Sequence, residues 1–129
     1  MFSFPVDYEQ SWTLRNEIIK EGIGLHTGLK SRIVIKPTEL PGFYFSFSEE
    51  SNKLISIDIS QVSNTPLCTT LDIEGKKIST VEHLLAALIG VGVTHAHIEI
   101  TGSEIPLLDG SAIGWIDEIQ KVGMIKSTT

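Results

Sequence analysis

The residues with the most chemical potential in this sequence are an adjacent pair, Glu82 and His83. An imidazole can ligate a metal ion, and a catalytic zinc takes about three protein ligands and keeps one position open for water. A carboxylate beside it can accept the proton of that water. The pair would supply one ligand and one base, and the other ligands would come from elsewhere. Spacing alone leaves a second reading open, with Glu82 as the acid of a helix capping box and His83 as a solvated surface residue. His95 and His97 stand two apart, with Glu99 two further on. On a strand all three share one face, where they could chelate a metal or simply form the polar side of a sheet. Gly22, Gly24 and Gly28 space a loop around His26. Its backbone N–H groups could cradle a phosphate and the imidazole could donate to an anion, although ordinary turns carry the same glycines. Cys68 is the only cysteine. It excludes an intrachain disulfide and a cysteine-cluster zinc site, and a lone free cysteine is most often buried and inert.

Side chains of this kind act only when a scaffold positions them. Ser79 followed three residues later by Glu82 forms a capping-box pattern. Behind it Val81, Leu84, Leu85 and Leu88 recur at i, i+3, i+4 and i+7, which predicts a helix with one apolar stripe, ended by Gly90 and Gly92. At about 100° per residue, His83 projects nearly opposite that stripe and Glu82 to its flank. Ala86 and Ala87 share the side of His83, where small residues would let another body approach closely. The stretch 94–101 alternates cleanly as a strand, with Thr94, Ala96, Ile98 and Ile100 on one face and His95, His97 and Glu99 on the other. Further strands are predicted over 12–19, 31–36, 43–47 and 54–59, and a hairpin joins 69–73 to 76–78 through Glu74 and Gly75. A second helix is predicted over 112–122, with Ala112, Trp115, Ile116, Ile119 and Val122 as its stripe and Gly123 as its stop. Residues 1–10 read as an arm, 11–126 as one domain, and 126–129 as a polar tail without structural signal. Strands, helix, strand, helix give an α+β fold, a two-layer sandwich of a mixed or antiparallel sheet with both helices on one face.

Composition narrows the function. With 129 residues, 41% of them hydrophobic and 20% charged, the chain can bury one core and does not read as disordered. A net charge of −6 argues against a nucleic-acid partner, which would be held by Lys and Arg. No apolar run approaches the roughly 20 residues of a membrane-spanning helix. The first residues lack a basic start followed by an apolar stretch, so a secretory signal is not expected and the cytoplasm is the expected location.

Four stretches, taken together, resemble one family, the UDP-3-O-acyl-N-acetylglucosamine deacetylases of lipid A biosynthesis. They are GIGLHTG at 22–28, PLCTTL at 66–71, ISTVEHLLAAL at 78–88 and EIPLLDGSA at 104–112. They occur in the family's order and at about its spacing. The resemblance implies a Zn2+ ion with His83 as a ligand, Glu82 as the general base, and His26, Cys68 and Thr69 along the substrate site. It implies a fold of two similar domains, each with two helices on a sheet, with the active site between them. The face of His83, Ala86 and Ala87 would then look toward the second domain. That domain would bring a His and an Asp of an HKxxD-like motif as the remaining ligands, together with a further catalytic histidine and the acyl-chain passage. No such residues follow here, so the chain reads as the amino-terminal domain and is not expected to complete the reaction alone. His95 and His97 match nothing catalytic in that family. The alternative is a stand-alone, non-catalytic domain that binds a UDP-sugar or a protein partner. Pairing of two copies around a shared metal is disfavoured, because the second-domain ligands would still be missing.

Overall fold

A computed structural model describes residues 9–24, 27–48, 54–57, 62–64, 69–73, 76–79, 81–106 and 112–127. The element order is β1 (Trp12–Leu14), β2 (Ile18–Ile23), β3 (Lys30–Lys36), β4 (Gly42–Phe47), β5 (Ile55–Ser56), β6 (Val62–Asn64), β7 (Thr69–Ile73), β8 (Lys76–Ser79), α1 (Glu82–Gly90), β9 (His95–Thr101), α2 (Ala112–Val122) and β10 (Met124–Lys126). Among the described residues, seven strands form one mixed sheet and β6, β7 and β8 form a second, antiparallel one. The architecture is the expected α+β one.

The alternation of β9 organises the main sheet. This strand runs antiparallel to β3 and parallel to β4. Register sets Ile98 between Ile35 and Phe45, and Ile100 between Ile33 and Phe47. These two rows cross three strands, and all six side chains are buried. Leu84, Ala87 and Leu88 of α1 and Trp115 and Ile119 of α2 belong to the same apolar cluster, so both helices pack on this face. Full burial of a Leu, Ile or Phe is worth roughly 1.5–3 kcal/mol, which makes this layer the main source of cohesion. The opposite face carries Arg32, Lys36, Tyr44, Ser46, His97 and Glu99, placed there by the same period of two.

Helix α1 ends as its glycines suggest. Gly92 takes φ of +97°, a conformation that costs a side-chain-bearing residue energy. The Val93 N–H then donates to the Leu88 carbonyl at 2.9 Å and the Gly92 N–H to the Ile89 carbonyl at 3.1 Å. Val93 and Leu88 are both buried in the core, which completes a Schellman-type stop. Gly90 is still helical, so only Gly92 terminates the element. Helix α2 covers the expected residues, and the Gly123 N–H closes it on the Ile119 carbonyl at 2.8 Å.

Several local expectations change. The expected strand 12–19 is two strands. Strand β1 pairs with β9 and β10, whereas β2 pairs with β3, so the chain steps sideways by one strand at residues 15–17. Leu14 and Ile18 both reach the core across that step, which the continuous pattern concealed. The helix is not capped by Ser79. That residue pairs with Thr70 at the end of β8, and Val81 occupies the cap position without a side-chain cap hydrogen bond. Strand β5 is limited to Ile55–Ser56, with the Ile57 N–H continuing to the Phe43 carbonyl at 2.9 Å; residues 58–59 of the expected strand lie outside the described residues. The end of the chain is not without structure, since Met124–Lys126 adds β10 to β1 and the Ser127 N–H donates to Ser11 O at 2.8 Å. The expected hairpin is present as β7 and β8, extended by β6. No helix among the described residues is long and apolar enough to cross a membrane.

Candidate active site

Glu82 and His83 are the first two residues of α1. An uncapped helix start leaves backbone N–H groups facing outward and favours negative charge, so an acidic residue here is locally stabilising. Local stabilisation does not explain the carboxylate's surroundings. Glu82 as a residue is only half-buried, yet its Oε1 is shut off from water and has no hydrogen-bond partner among the described residues. A carboxylate oxygen left unpaired away from water is costly, and proteins avoid it unless the group has a further use. His83, next along the helix, is half-buried.

The apolar face of α1 differs from the projected one in a way that bears on this pair. Ala87 is fully buried, and Leu85, counted as core from its spacing, is only partly so. The stripe is therefore Val81, Leu84, Ala87 and Leu88, rotated toward α2, against which α1 packs. This rotation moves His83 from nearly opposite the core to its flank. It also removes Ala87 from the face expected to meet another body, while Ala86 remains exposed. A small side chain at 87 serves close packing inside this domain.

The strand preceding α1 brings a further candidate close. Thr70 pairs with Ser79, three residues before Glu82, and Thr69 is the preceding residue of β7. The Thr69 backbone pairs with Asn64, and its side chain lies outside what the structure describes. His26 and Cys68 also lie outside the described residues.

On either side of His26 the loop is well defined. The Gly24 N–H donates to the Leu29 carbonyl at 2.9 Å, and the Gly28 N–H donates back to the Gly24 carbonyl at 3.0 Å. Glu104 reaches this loop from the segment after β9. Its Oε1 accepts the Thr27 N–H at 2.9 Å, and the residue is only 1% exposed. The sequence placed Glu104 inside a recognisable motif without giving it a role. Its signal was a charged residue directly before the buried Ile105.

The alternative histidine pair does not make a metal site. His95 is not on a solvated face; it is 2% exposed, and its Nδ1 shares a 2.8 Å hydrogen bond with Thr94 Oγ1. His97 Nε2 shares a 2.7 Å hydrogen bond with Ser46 Oγ. Burial, and then the Lys36 ammonium, hold the His97 imidazole below its usual 6.5, against a smaller opposing pull from Glu99. Among the described residues, no group of three or more His, Cys, Asp or Glu side chains could hold a metal ion. What remains among the described residues is the half-buried imidazole of His83, next in the chain to the Glu82 carboxylate.

Comparison with known proteins gives the chain a family. Residues 11–129 match the profile of the family described as UDP-3-O-acyl N-acetylglycosamine deacetylase. A UDP-3-O-acyl-N-acetylglucosamine deacetylase of Trichormus variabilis is 44% identical over 115 residues, covering 88% of this chain and 41% of that protein. The enzyme of the same name from Thermodesulfovibrio yellowstonii is 41% identical over 114 residues, covering 88% of this chain and 39% of the relative. That of Saccharophagus degradans is 38% identical over 116 residues, covering 88% and 38%. The chain thus spans about two fifths of the length of the curated relatives it matches. With the match running through β1 to β10 and both helices, the chain belongs to the UDP-3-O-acyl N-acetylglycosamine deacetylase family.

Proposed function

We propose that this chain forms the Glu82–His83 half of a zinc-dependent deacetylase that removes the N-acetyl group of UDP-3-O-acyl-N-acetylglucosamine in lipid A synthesis. The observation that carries the reading is the buried, partnerless Oε1 of Glu82 beside the half-buried imidazole of His83, on the first turn of one helix. A zinc ion fits this pair in kind, because His83 offers a neutral nitrogen and the orphan oxygen is placed to act on whatever is bound next to it. Bound there, zinc would polarise the acetamide carbonyl and acidify a water molecule. Glu82 would take the proton of the attacking water at Oε1. Its lack of a competing donor keeps that lone pair available. His26, on the glycine-spaced loop, and Cys68 and Thr69, on the segment leading into β7, would line the sugar substrate. Collapse of the tetrahedral species, with the leaving nitrogen protonated by a group of the further domain, would release acetate and the free amine.

One ligand does not make a zinc site, and among the described residues no cluster of His, Cys, Asp or Glu supplies the rest, so the remaining ligands would come from a further segment of the full-length protein. The exposed side of the helix layer supports that division. Ala86 is exposed on α1, Ile89 is 61% exposed and Ile113 on α2 is 56% exposed, apolar surface that a further domain would cover. The isolated chain would accordingly be inactive. A nucleotide-sugar substrate would suit a cytoplasmic reaction. In the full-length enzyme, Glu82→Gln should stop acetate release while the zinc content measured by atomic absorption stays at one equivalent. His83→Ala should lower that zinc content. Near-native turnover by the Glu82→Gln enzyme would sink the assignment of the base.

A further inference from the structure

The helices cover one face of the main sheet. On the other face, β2 forms the edge among the described residues and β3 is its neighbour. Register sets Ile23 beside Lys30, Glu21 beside Arg32 and Ile19 beside Val34, and Thr101 of β9 flanks Arg32 from the far side. The two-residue period puts these side chains together on that face. A cleft of about 190 Å³ opens here, lined by Glu21, Lys30, Ser31, Arg32 and Thr101. Both of its cations are available. The Lys30 ammonium is exposed and has no partner among the described residues. Arg32 meets Glu21 through Nε at 3.4 Å, but the two side chains are 44% and 57% exposed, so solvent screens the pair and it holds the guanidinium weakly.

Beside the cleft the surface is apolar. Ile19 is 51% exposed, Ile23 53% and Leu29 65%. Large exposed aliphatics at a sheet edge mark an interaction surface, because an edge left to solvent is ordinarily guarded by charge. A phosphate group held by Lys30 and Arg32, with hydrocarbon against the three aliphatics, would satisfy both halves of this corner. A phospholipid surface presents that combination, whereas a free phosphate supplies only the charge. We propose that this corner docks on an anionic phospholipid surface, a headgroup phosphate entering the cleft while Ile19, Ile23 and Leu29 enter the headgroup region. The net charge of −6 does not prevent this, because screening at physiological salt confines the reach of a distant charge to about 8 Å. Helix α1 packs on the opposite side of the sheet, so a surface docked here leaves the Glu82–His83 pair clear. Docking of this kind is independent of the deacetylase reading.

The test is co-sedimentation of the full-length protein with phosphatidylcholine vesicles, with and without phosphatidylglycerol. The native protein should bind the anionic vesicles roughly tenfold or more tightly than the neutral ones, and salt should release it. Lys30→Ala and Arg32→Ala should each weaken binding about fivefold, and Ile23→Ser about tenfold. Lys126→Ala, on β10 at the other edge of the sheet, should leave binding unchanged. All four positions are exposed, so thermal melts should stay at the native value. Failure of the native protein to bind anionic vesicles would overturn the proposal, as would equal losses in Lys126→Ala and Lys30→Ala. If inorganic phosphate shifted the amide resonances of Lys30 and Arg32 while vesicles stayed unbound, the cleft would hold a soluble anion and lipid docking would be wrong. A concentration-dependent dimer abolished by Ile23→Ser, without vesicle binding, would assign the edge to a second copy of the chain instead.

Discussion

Glu104 and Glu82 each take a carboxylate oxygen out of water, and the two oxygens meet opposite surroundings. Glu104 Oε1 accepts the Thr27 N–H and lies against Gly24. Glu82 Oε1 is equally cut off and accepts nothing. The first arrangement spends its acceptor on the fold, joining the segment after β9 to a loop 77 residues earlier in the chain. The second keeps a lone pair uncommitted at the start of α1, at a cost in stability. In one small domain, a buried acid can thus be sorted by what it accepts. The satisfied carboxylate of Glu104 shapes the backbone, and the uncommitted oxygen of Glu82 is the one that the proposed reaction would use.

The largest effect should separate the two acids by activity. Glu82→Gln is expected to lower kcat by about 10²–10⁴-fold, the usual contribution of a positioned base. The same variant should unfold at the same temperature as the native protein or slightly higher, because it neutralises an unpaired buried group. A Tm several degrees lower would show that Glu82 is structural after all and would erase the contrast. Next in size is the stability loss in Glu104→Ala. It removes the hydrogen bond from the Thr27 N–H to a carboxylate held out of water, at a cost of about 1–3 kcal/mol, readable as a lower urea midpoint with an unchanged slope. A neutral result would mean that the Thr27 contact is replaced by water.

Two further groups sharpen the comparison, because both have a lowered pKa for opposite reasons: His97 has its charged form disfavoured and Glu118 has its charged form held. His97 has its pKa lowered by burial and by Lys36, so the folded protein resists a proton that the unfolded chain accepts. Stability should therefore fall as pH drops through 6.5, and level off once pH is below the folded value. Comparing urea midpoints at several pH values, His97→Gln should flatten that slope; parallel curves would assign it to other groups. Glu118 is the reverse case. Burial works against its charge, but hydrogen bonds from Lys121 and Lys20 outweigh it and hold the carboxyl below 4.5. Its contribution is present above 4.5 and is lost as pH falls through the folded value. The pairs are close, with both lysines 3.2 Å from Glu118, but Lys121 is largely exposed. Lys20→Ala should thus cost only about 0.2–1 kcal/mol by thermal melt, the smallest effect of the series.

Much of this protein follows from local pattern. The two-residue period of β9 fixed its two faces, the 3.6-residue period placed α2 from Ala112 to Val122, and the glycines after each helix marked its end. The adjacency of Glu82 and His83 and the four motifs named the family before any coordinate was known. Tertiary structure decided what local pattern cannot encode, namely which partner each element meets. The break between β1 and β2 exists because β3 stands between β2 and β9. Strand β10 is three residues with too little periodicity to read, and only the free side of β1 orders it. Ser79 looks like a cap until its ladder with Thr70 claims it, and Ala87 looks outward until α2 closes over that side of α1. For the same reason the sequence could name Glu82 but could not separate it from Glu104. Whether a buried oxygen has a donor depends on what arrives from elsewhere in the chain, and only the folded molecule brings those groups together.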